Sequence, residues 1–278
     1  MRILFYLAVW KRPEITKICF QGLKRLRDYY PNSLVHVVLS EDYYKNECEK
    51  FGFSWTEAPN KPIGAKKNTG LKDALSRHKF DYMIELGSDD LIANDVIDIY
   101  LRVIEKGYDL FGLNRVGIID SISGKCINYK ALIMGNGRCI SRKALEKAGE
   151  SYFCRATETF IGNNNTSMCR GDEQWVPAYR ISRYHEIISE VDFRLWASEN
   201  NWALDGCSNA ILEKCGYKYT SVDTSRILLL DIKGEENIGK FENFRGEGIT
   251  LDQCVEDFPE KEEIKKLIFE RQKNYSAA

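Results

Sequence analysis

The chain has 278 residues, of which 44% are hydrophobic and 29% are charged, a composition typical of a soluble globular protein. Its 40 lysines and arginines nearly balance 41 acids, so its charge favours neither nucleic acid nor an anionic membrane as a general partner. No apolar stretch approaches the roughly 18–20 residues that cross a bilayer. Nine scattered cysteines without CxxC pairs favour reduced thiols in a cytoplasmic protein over disulfides or a zinc site.

Strand and helix patterns alternate through the first half of the chain. The first helical pattern has one apolar face and opens with Pro13, and Asn94 is predicted to cap the fourth. The predicted elements are strands at 2–9, 34–39, 53–57, 82–86 and 109–114, and helices at 13–27, 42–51, 65–76 and 94–106. Helices between strands predict a mainly parallel central sheet flanked by helices, in which ligands bind beyond the carboxyl ends of the strands.

The pattern changes after Arg115, where two strand-like runs flank a polar turn and predict a hairpin. The predicted elements of this part are hairpin strands at 116–119 and 125–129, helices at 142–148 and 190–200, strands at 217–222 and 227–232, and a charged surface helix at 259–274. No repeat or low-complexity linker separates them. The sequence therefore predicts a single domain at 1–250, with halves at 1–115 and 116–250, and a C-terminal helical tail at 251–278.

The most informative feature is the turn that follows the strand pattern at 82–86. Gly87 and Ser88 end the apolar run, and two adjacent carboxylates, Asp89 and Asp90, follow. Carboxylate oxygens are ligands that hard divalent cations prefer. A buried strand ending in paired acids is therefore suited to hold a metal ion against a phosphorylated ligand. The alternative is structural, with the acids capping the turn.

Four segments of the chain form a characteristic series: the first strand with loop 10–13, the segment 61–71, the turn 87–90 and the segment 135–142. Together they resemble the GT-A nucleotide-diphospho-sugar glycosyltransferases, especially those of the family 2 type, and they occur in the order that fold requires. The resemblance implies a GT-A (Rossmann-like) α/β fold with a mixed, mainly parallel central sheet. It makes 1–115 the nucleotide-sugar-binding half and 116–250 the acceptor-binding half.

The resemblance also implies an activity. Such enzymes move a sugar from a nucleotide-diphosphate donor, here a UDP- or GDP-sugar, to a hydroxyl acceptor such as a glycan, a lipid-linked glycan or a protein. Inversion at the sugar is expected. The expected cofactor is Mn²⁺ or Mg²⁺, because the metal bridges the two donor phosphates and stabilises the charge on the leaving diphosphate.

The metal and donor residues follow from the same resemblance. Asp89 and Asp90 correspond to the DXD-type metal site, with Gly87 in the place of its first acid, and Asp231 can add a ligand from the last predicted strand. The expected donor-binding residues are Arg12, Glu41, Lys66, Asn68, Ser88, Asp89 and Lys233. For Glu41 and Lys66 the alternatives are an acid favoured by a helix N-terminus and a solvated lysine.

An inverting transfer needs a carboxylate that removes the proton of the acceptor hydroxyl. Asp192 takes the position of the family's base, and Asp172 with Glu173 is the competing acidic pair; both sets can instead be helix-start acids. Gly137 and Arg138 are expected to shape the acceptor site, because glycine permits close approach and arginine can orient a sugar or phosphate oxygen. Arg138 can equally be a structural ion-pair partner.

Two other functions stay open. A sugar-phosphate nucleotidyltransferase shares the sheet type but normally has a Gly-rich, Arg-containing loop after the first strand, and loop 10–13 has no glycine. A catalytically inactive carbohydrate- or nucleotide-binding protein would have the same fold, because fold does not determine activity. P-loop and dinucleotide-binding enzymes are disfavoured, since neither GxxxxGK[ST] nor GxGxxG occurs.

Overall fold

A computed structural model of the chain describes residues 1–60, 63–130, 133, 135–148, 153, 160–162, 166–168, 217–237 and 240–276. Elements are numbered in chain order within these residues. The first part alternates strand and helix close to the predicted bounds, as the hydrophobic periodicity requires. Its elements are β1 (Ile3–Val9), α1 (Pro13–Tyr29), β2 (Ser33–Leu39), α2 (Tyr43–Phe51), β3 (Ser54–Glu57), α3 (Ile63–Arg77) and β4 (Tyr82–Gly87).

The next part contains the predicted hairpin and two short strands that were not predicted. It consists of β5 (Asp90–Ile92), α4 (Asp95–Glu105), β6 (Leu110–Leu113), β7 (Arg115–Asp120), β8 (Cys126–Lys130), β9 (Arg138–Ser141) and α5 (Arg142–Ala148). Strands β7 and β8 pair antiparallel, which confirms the hairpin. Strands β5 and β9 have three and four residues, too few for a periodic pattern to be recognised.

The remaining described elements lie towards the C-terminus. They are β10 (Phe160–Gly162), β11 (Thr166–Met168), β12 (Tyr219–Val222), β13 (Leu229–Lys233), β14 (Glu247–Ile249), α6 (Leu251–Val255) and α7 (Lys261–Ser276). Thr250 caps α6 in a reciprocal arrangement with Gln253. The predicted helix at 190–200 lies outside the described residues. Among those that are described, no helix combines the length and apolarity needed to span a bilayer.

The larger sheet has seven strands in the order β12-β6-β9-β4-β1-β2-β3. Strand β9 runs antiparallel to β4 and β6, and the other neighbours are parallel. The predicted mixed, mainly parallel sheet flanked by helices is therefore confirmed. The carboxyl ends of β1, β2 and β4 meet at one edge, which is where parallel sheets of this kind bind ligands.

A second sheet of five strands, in the order β14-β8-β7-β13-β5, begins where β4 ends. The chain leaves β4 at Gly87 and enters β5 at Asp90, so Ser88 and Asp89 connect the two sheets. Strand β13 pairs with β5 and sets Asp231 opposite Asp90. A residue distant in sequence is thereby fixed beside the acidic turn by backbone register.

Helix α7 contributes to the hydrophobic core. Ile264, Leu267 and Ile268 are buried on one of its faces and belong to the same apolar cluster as the strands of both sheets. On its other side, Arg271 pairs with Glu14 of α1 at 3.0 Å. The prediction of a charged surface helix is thus correct for its polar face only.

One local prediction fails because a tertiary contact uses the residue differently. Asn94 makes no side-chain cap of α4, and its Oδ1 instead accepts a hydrogen bond from Arg25 of α1. Gly70 has a packing role of its own, because it allows α3 to approach β2 closely. A Cβ there would lie 2.0 Å from Val38 Cγ2, so only glycine fits.

Candidate active site

Three carboxylates converge where the two sheets meet. Asp89 follows β4, Asp90 begins β5 and Asp231 lies in β13, and each offers an oxygen within 4.8 Å of the others. The Asp89 carbonyl accepts a hydrogen bond of 2.9 Å from Ile232 N, which ties the turn to β13. All three acids are buried. Three carboxylates held this close in the interior form a strongly negative site suited to a cation.

Gly87 occupies the place of the first acid in the DXD-type pattern, and the geometry explains its identity. A Cβ at Gly87 would lie 2.6 Å from Asp89 Oδ1 and 3.0 Å from Asp90 Oδ2. The Gly87 N–H donates to Asp90 Oδ2. A side chain at this position would displace both carboxylates, so glycine is required for their approach.

Gly87→Ala is therefore expected to disturb the acid cluster. Overpacking of this kind costs about 1–3 kcal/mol in the free energy of unfolding, and the shifted acids should bind Mn²⁺ more weakly. Gly248→Ala in β14 is the matched control, because a Cβ there meets nothing within 4 Å. Denaturant unfolding and Mn²⁺ titration of both variants check the expectation. Equal Mn²⁺ affinities in the two variants would contradict it.

Two basic side chains lie against the acids. Arg12 Nη1 is 2.8 Å from Asp89 Oδ2, and Arg12 Nη2 donates to Ser88 Oγ at 2.7 Å. Lys233 Nζ is 2.6 Å from Asp231 Oδ2. The structure therefore brings together six of the predicted site residues in one cluster: Arg12, Ser88, Asp89, Asp90, Asp231 and Lys233.

Arg12 is presented by an unusual backbone. Lys11 and Arg12 have φ values of 52° and 56°, the left-handed region that non-glycine residues rarely adopt. The Lys11 N–H donates to Glu41 Oε2 at 2.7 Å, and the Tyr44 hydroxyl donates to the Lys11 carbonyl. Glu41 is thus placed at the predicted edge, where its carboxylate supports the loop that positions Arg12.

The electrostatics of the three acids differ. Burial alone would raise the pKa of Asp89, but Arg12 and Lys233 outweigh it and hold that pKa below its ordinary value. Burial and the neighbouring acids raise the pKa of Asp90 well above its ordinary value. Burial, opposed by Lys233 and reinforced by Asp89, raises the pKa of Asp231 to about 6. The charged forms of Asp90 and Asp231 are therefore disfavoured in the protein alone, and a bound cation would stabilise them.

Two buried polar atoms of the cluster have no hydrogen-bond partner among the described residues. They are Arg12 Nε, a donor, and Asp231 Oδ1, an acceptor. Buried polar groups are nearly always satisfied, so such atoms need an explanation. An acceptor oxygen beside two further carboxylates fits a hard divalent cation such as Mn²⁺ or Mg²⁺.

Lys66 and Asn68 lie on α3 and make contacts outside the acid cluster. Lys66 Nζ donates to the carbonyl of Val9, at the end of β1, and to Asn60 Oδ1 at 3.2 Å; burial lowers its pKa to about 7. The Asn68 amide bonds both backbone groups of Phe153, accepting from its N–H at 2.8 Å. Lys66 therefore lies at the ligand-binding edge, whereas Asn68 acts as a structural clamp, and donor contacts by both stay predictions.

Gly137 and Arg138 are tied to the core. Gly137 has a φ of 76°, and its carbonyl accepts from the Tyr100 hydroxyl at 2.6 Å. Arg138 has no exposed surface, and its Nη2 is 2.6 Å from Glu85 Oε2, while Lys67 Nζ is 2.6 Å from Glu85 Oε1. This geometry supports the structural alternative for Arg138, and its contact with an acceptor stays a prediction.

Sequence reasoning missed two amides that contact the acids. Asn237 Nδ2 donates to Asp89 Oδ2, and Asn136 Nδ2 approaches Asp90 Oδ1 at 3.4 Å. Asn237 lies shortly after the end of β13, but nothing in its local sequence signals a contact with a residue so distant in the chain. The predicted bases Asp192, Asp172 and Glu173 lie outside the described residues.

Comparison with known proteins rests on structure alone. No protein-family model and no curated protein matches the sequence. S. aureus TarS 1-349 in complex with UDP-GlcNAc matches with a TM-score of 0.51 and 11% identity, over 98% of this chain and 66% of that one. The Pyrobaculum calidifontis mannosyltransferase PcManGT, in complex with GDP-Man and Mn²⁺, matches with a TM-score of 0.50 and 11% identity, over 98% and 69%. The chain thus spans about two thirds of the length of TarS 1-349. This shared architecture, with a mixed sheet and flanking helices, is the GT-A fold.

Proposed function

We propose that the protein is a metal-dependent glycosyltransferase, which moves a sugar with inversion from a nucleotide-diphosphate donor to a hydroxyl acceptor. The observation that carries this proposal is the buried cluster of Asp89, Asp90 and Asp231, which contains the unpartnered Asp231 Oδ1 and pairs with the basic groups of Arg12 and Lys233. Carboxylates that bind a cation and cations that bind phosphate are the two requirements of a metal-diphosphate site.

The structural neighbours support the same donor class. TarS is seen with UDP-GlcNAc, and the mannosyltransferase is seen with GDP-Man and Mn²⁺. A UDP- or GDP-sugar is accordingly the proposed donor, and a glycan, a lipid-linked glycan or a protein the proposed acceptor. The cytoplasm is the proposed location. The cysteines that the structure describes as free are buried, which is consistent with reduced thiols in that compartment.

Asp90 and Asp231, with Asp89, would hold Mn²⁺ or Mg²⁺, which when bound offsets the charge that develops on the leaving diphosphate. Arg12 and Lys233 would pair with phosphate oxygens. The acceptor oxygen attacks the anomeric carbon, the bond to the diphosphate breaks, and the hydroxyl proton passes to a carboxylate. Asp192, or the pair Asp172 and Glu173, is the proposed base.

Ligand-induced thermal stabilisation tests the proposal. A ligand that binds only the folded state raises the melting temperature, so UDP or GDP should do so with Mn²⁺ and much less without it. Asp90→Asn should lose the Mn²⁺-dependent part, while Asp28→Asn, an exposed acid paired with Lys24 on α1, should keep it. If no nucleotide shifts the wild-type melting temperature, the proposal fails. Sugar transfer to an acceptor, measured next, separates an enzyme from an inactive binder.

Mn²⁺ binding is expected to depend on pH in an unusual range. Because the pKa of Asp231 is raised to about 6, the metal must displace a proton as the pH falls towards that value. The apparent Mn²⁺ affinity should therefore fall by about tenfold per pH unit below about pH 6, and Asp90, whose pKa is also raised, should add to the loss. Calorimetric titration from pH 8 to 5 measures this. An affinity that stays constant down to about pH 5 would contradict it, since acids with ordinary pKa values would behave in that way.

A further inference from the structure

The Arg12 guanidinium occupies the position of a counter-ion in the acid cluster. It bonds Asp89 through Nη1 and Ser88 through Nη2, and its side chain is 14% exposed. The arginine and a divalent cation would therefore neutralise the same group of carboxylates. Two cations so close together repel each other, and their binding to the cluster is mutually unfavourable.

The site contains two unpartnered polar atoms of opposite kinds. Arg12 Nε is a buried donor without a described acceptor, and Asp231 Oδ1 is a buried acceptor without a described donor. The first atom suits an anion and the second suits a cation. A divalent cation and a diphosphate that arrived together would satisfy both, which neither ligand does alone.

Asp89 does not depend on Arg12 alone. Asn237 Nδ2 also donates to Asp89 Oδ2, and Asn237 Oδ1 is fixed by the N–H of Gly234 at 2.7 Å. The loop backbone at Lys11 is held independently, by Glu41 and Tyr44. The guanidinium can therefore leave Asp89 by a side-chain rotation, while the loop and the carboxylate keep their places.

We propose that Arg12 is a counter-ion switch, which neutralises Asp89 in the metal-free protein and turns to the diphosphate when a divalent cation joins the acids. This inference rests on the proposed function, since it requires a diphosphate ligand. Arg12 opposes the metal when it binds alone and favours the complex of metal and nucleotide. It thereby makes metal and nucleotide binding cooperative, and linkage requires that each ligand strengthens the other by the same factor.

The test measures Mn²⁺ and nucleotide affinities separately in Arg12→Gln and in a matched control, Lys11→Gln. The control removes the same charge one residue away, from a side chain that pairs with Glu236 and has 43% of its surface exposed. In Arg12→Gln, Mn²⁺ should bind about tenfold more tightly without nucleotide, whereas GDP or UDP at saturating Mn²⁺ should bind about tenfold more weakly. Lys11→Gln should leave both affinities nearly unchanged.

A gain in Mn²⁺ affinity together with a loss of nucleotide affinity in Arg12→Gln distinguishes a switch from simpler roles. If Arg12 only contacted phosphate, nucleotide affinity would fall with Mn²⁺ affinity unchanged, and if it only supported Asp89, both would fall; either result overturns the inference. Arg12→Lys keeps the charge and should bind Mn²⁺ like the wild type. This variant tests the inference even if Arg12→Gln has a lowered melting temperature. Wild-type protein that binds Mn²⁺ but no nucleotide would instead overturn the proposed function.

Discussion

Asp231→Asn is expected to weaken Mn²⁺ binding by about a hundredfold or more and to abolish sugar transfer with it. The substitution removes a charged oxygen from a site in which Asp231 Oδ1 is buried and unpartnered. Calorimetric titration with Mn²⁺ and a transfer assay measure the two effects.

The same variant should not be less stable than the wild type in the absence of metal. Burial and Asp89 raise the pKa of Asp231 to about 6, so the folded protein holds its charged form at a cost at neutral pH. A neutral amide removes that cost and offsets the loss of the contact with Lys233. Asp28→Asn, exposed on α1, controls for the loss of one charge. Unchanged Mn²⁺ affinity in Asp231→Asn, or loss of binding through unfolding, would contradict the assignment.

Arg138→Met is expected to lower the free energy of unfolding by about 3–5 kcal/mol, because it removes one partner of a buried ion pair. Arg138 has no exposed surface, and Glu85, with 2% of its side chain exposed, would lose its arginine and keep the contact with Lys67. The pairing joins β4 to β9 and thus supports the strand that carries the acid turn. Denaturant unfolding measures the loss.

Lys24→Met is the comparison for that prediction. Lys24 pairs with Asp28 at 2.6 Å, but both side chains are more than half exposed, and such pairs contribute at most about 1 kcal/mol. The double variant Glu85→Leu/Arg138→Met should recover much of the lost stability, since it leaves no acid buried without its arginine. A small effect of Arg138→Met on unfolding, together with a large effect on acceptor binding, would instead restore the predicted acceptor contact.

The alternating elements of the first half could be predicted from the sequence because each long strand or helix has its own periodicity. The acid turn at Asp89 and Asp90 could be predicted for a local reason, since the carboxylates directly follow an apolar run. Asp231 can be predicted as a further ligand only from its place at the end of the last predicted strand, and the register of β13 against β5 brings it beside the turn.

The contacts that sequence reasoning missed join residues far apart in the chain. Asn237 reaches Asp89, and Arg138 reaches Glu85, through strand pairings that short segments do not signal. The need for glycine at positions 87 and 70 could not be predicted either, because it arises from atoms that surround these residues in space. Local patterns therefore predict the alternating strands and helices and the acid turn, whereas the partners of those acids depend on the tertiary structure.

Release of nucleoside diphosphate from UDP- and GDP-sugars tests the assignment of the acid cluster most directly. The reaction should require Mn²⁺ or Mg²⁺, stop on addition of EDTA and recover when metal is restored. It should be lost in Asp231→Asn and retained in Asp28→Asn. Release that continues at the same rate in EDTA, or in Asp231→Asn, would contradict a metal-dependent diphosphate site at Asp89, Asp90 and Asp231.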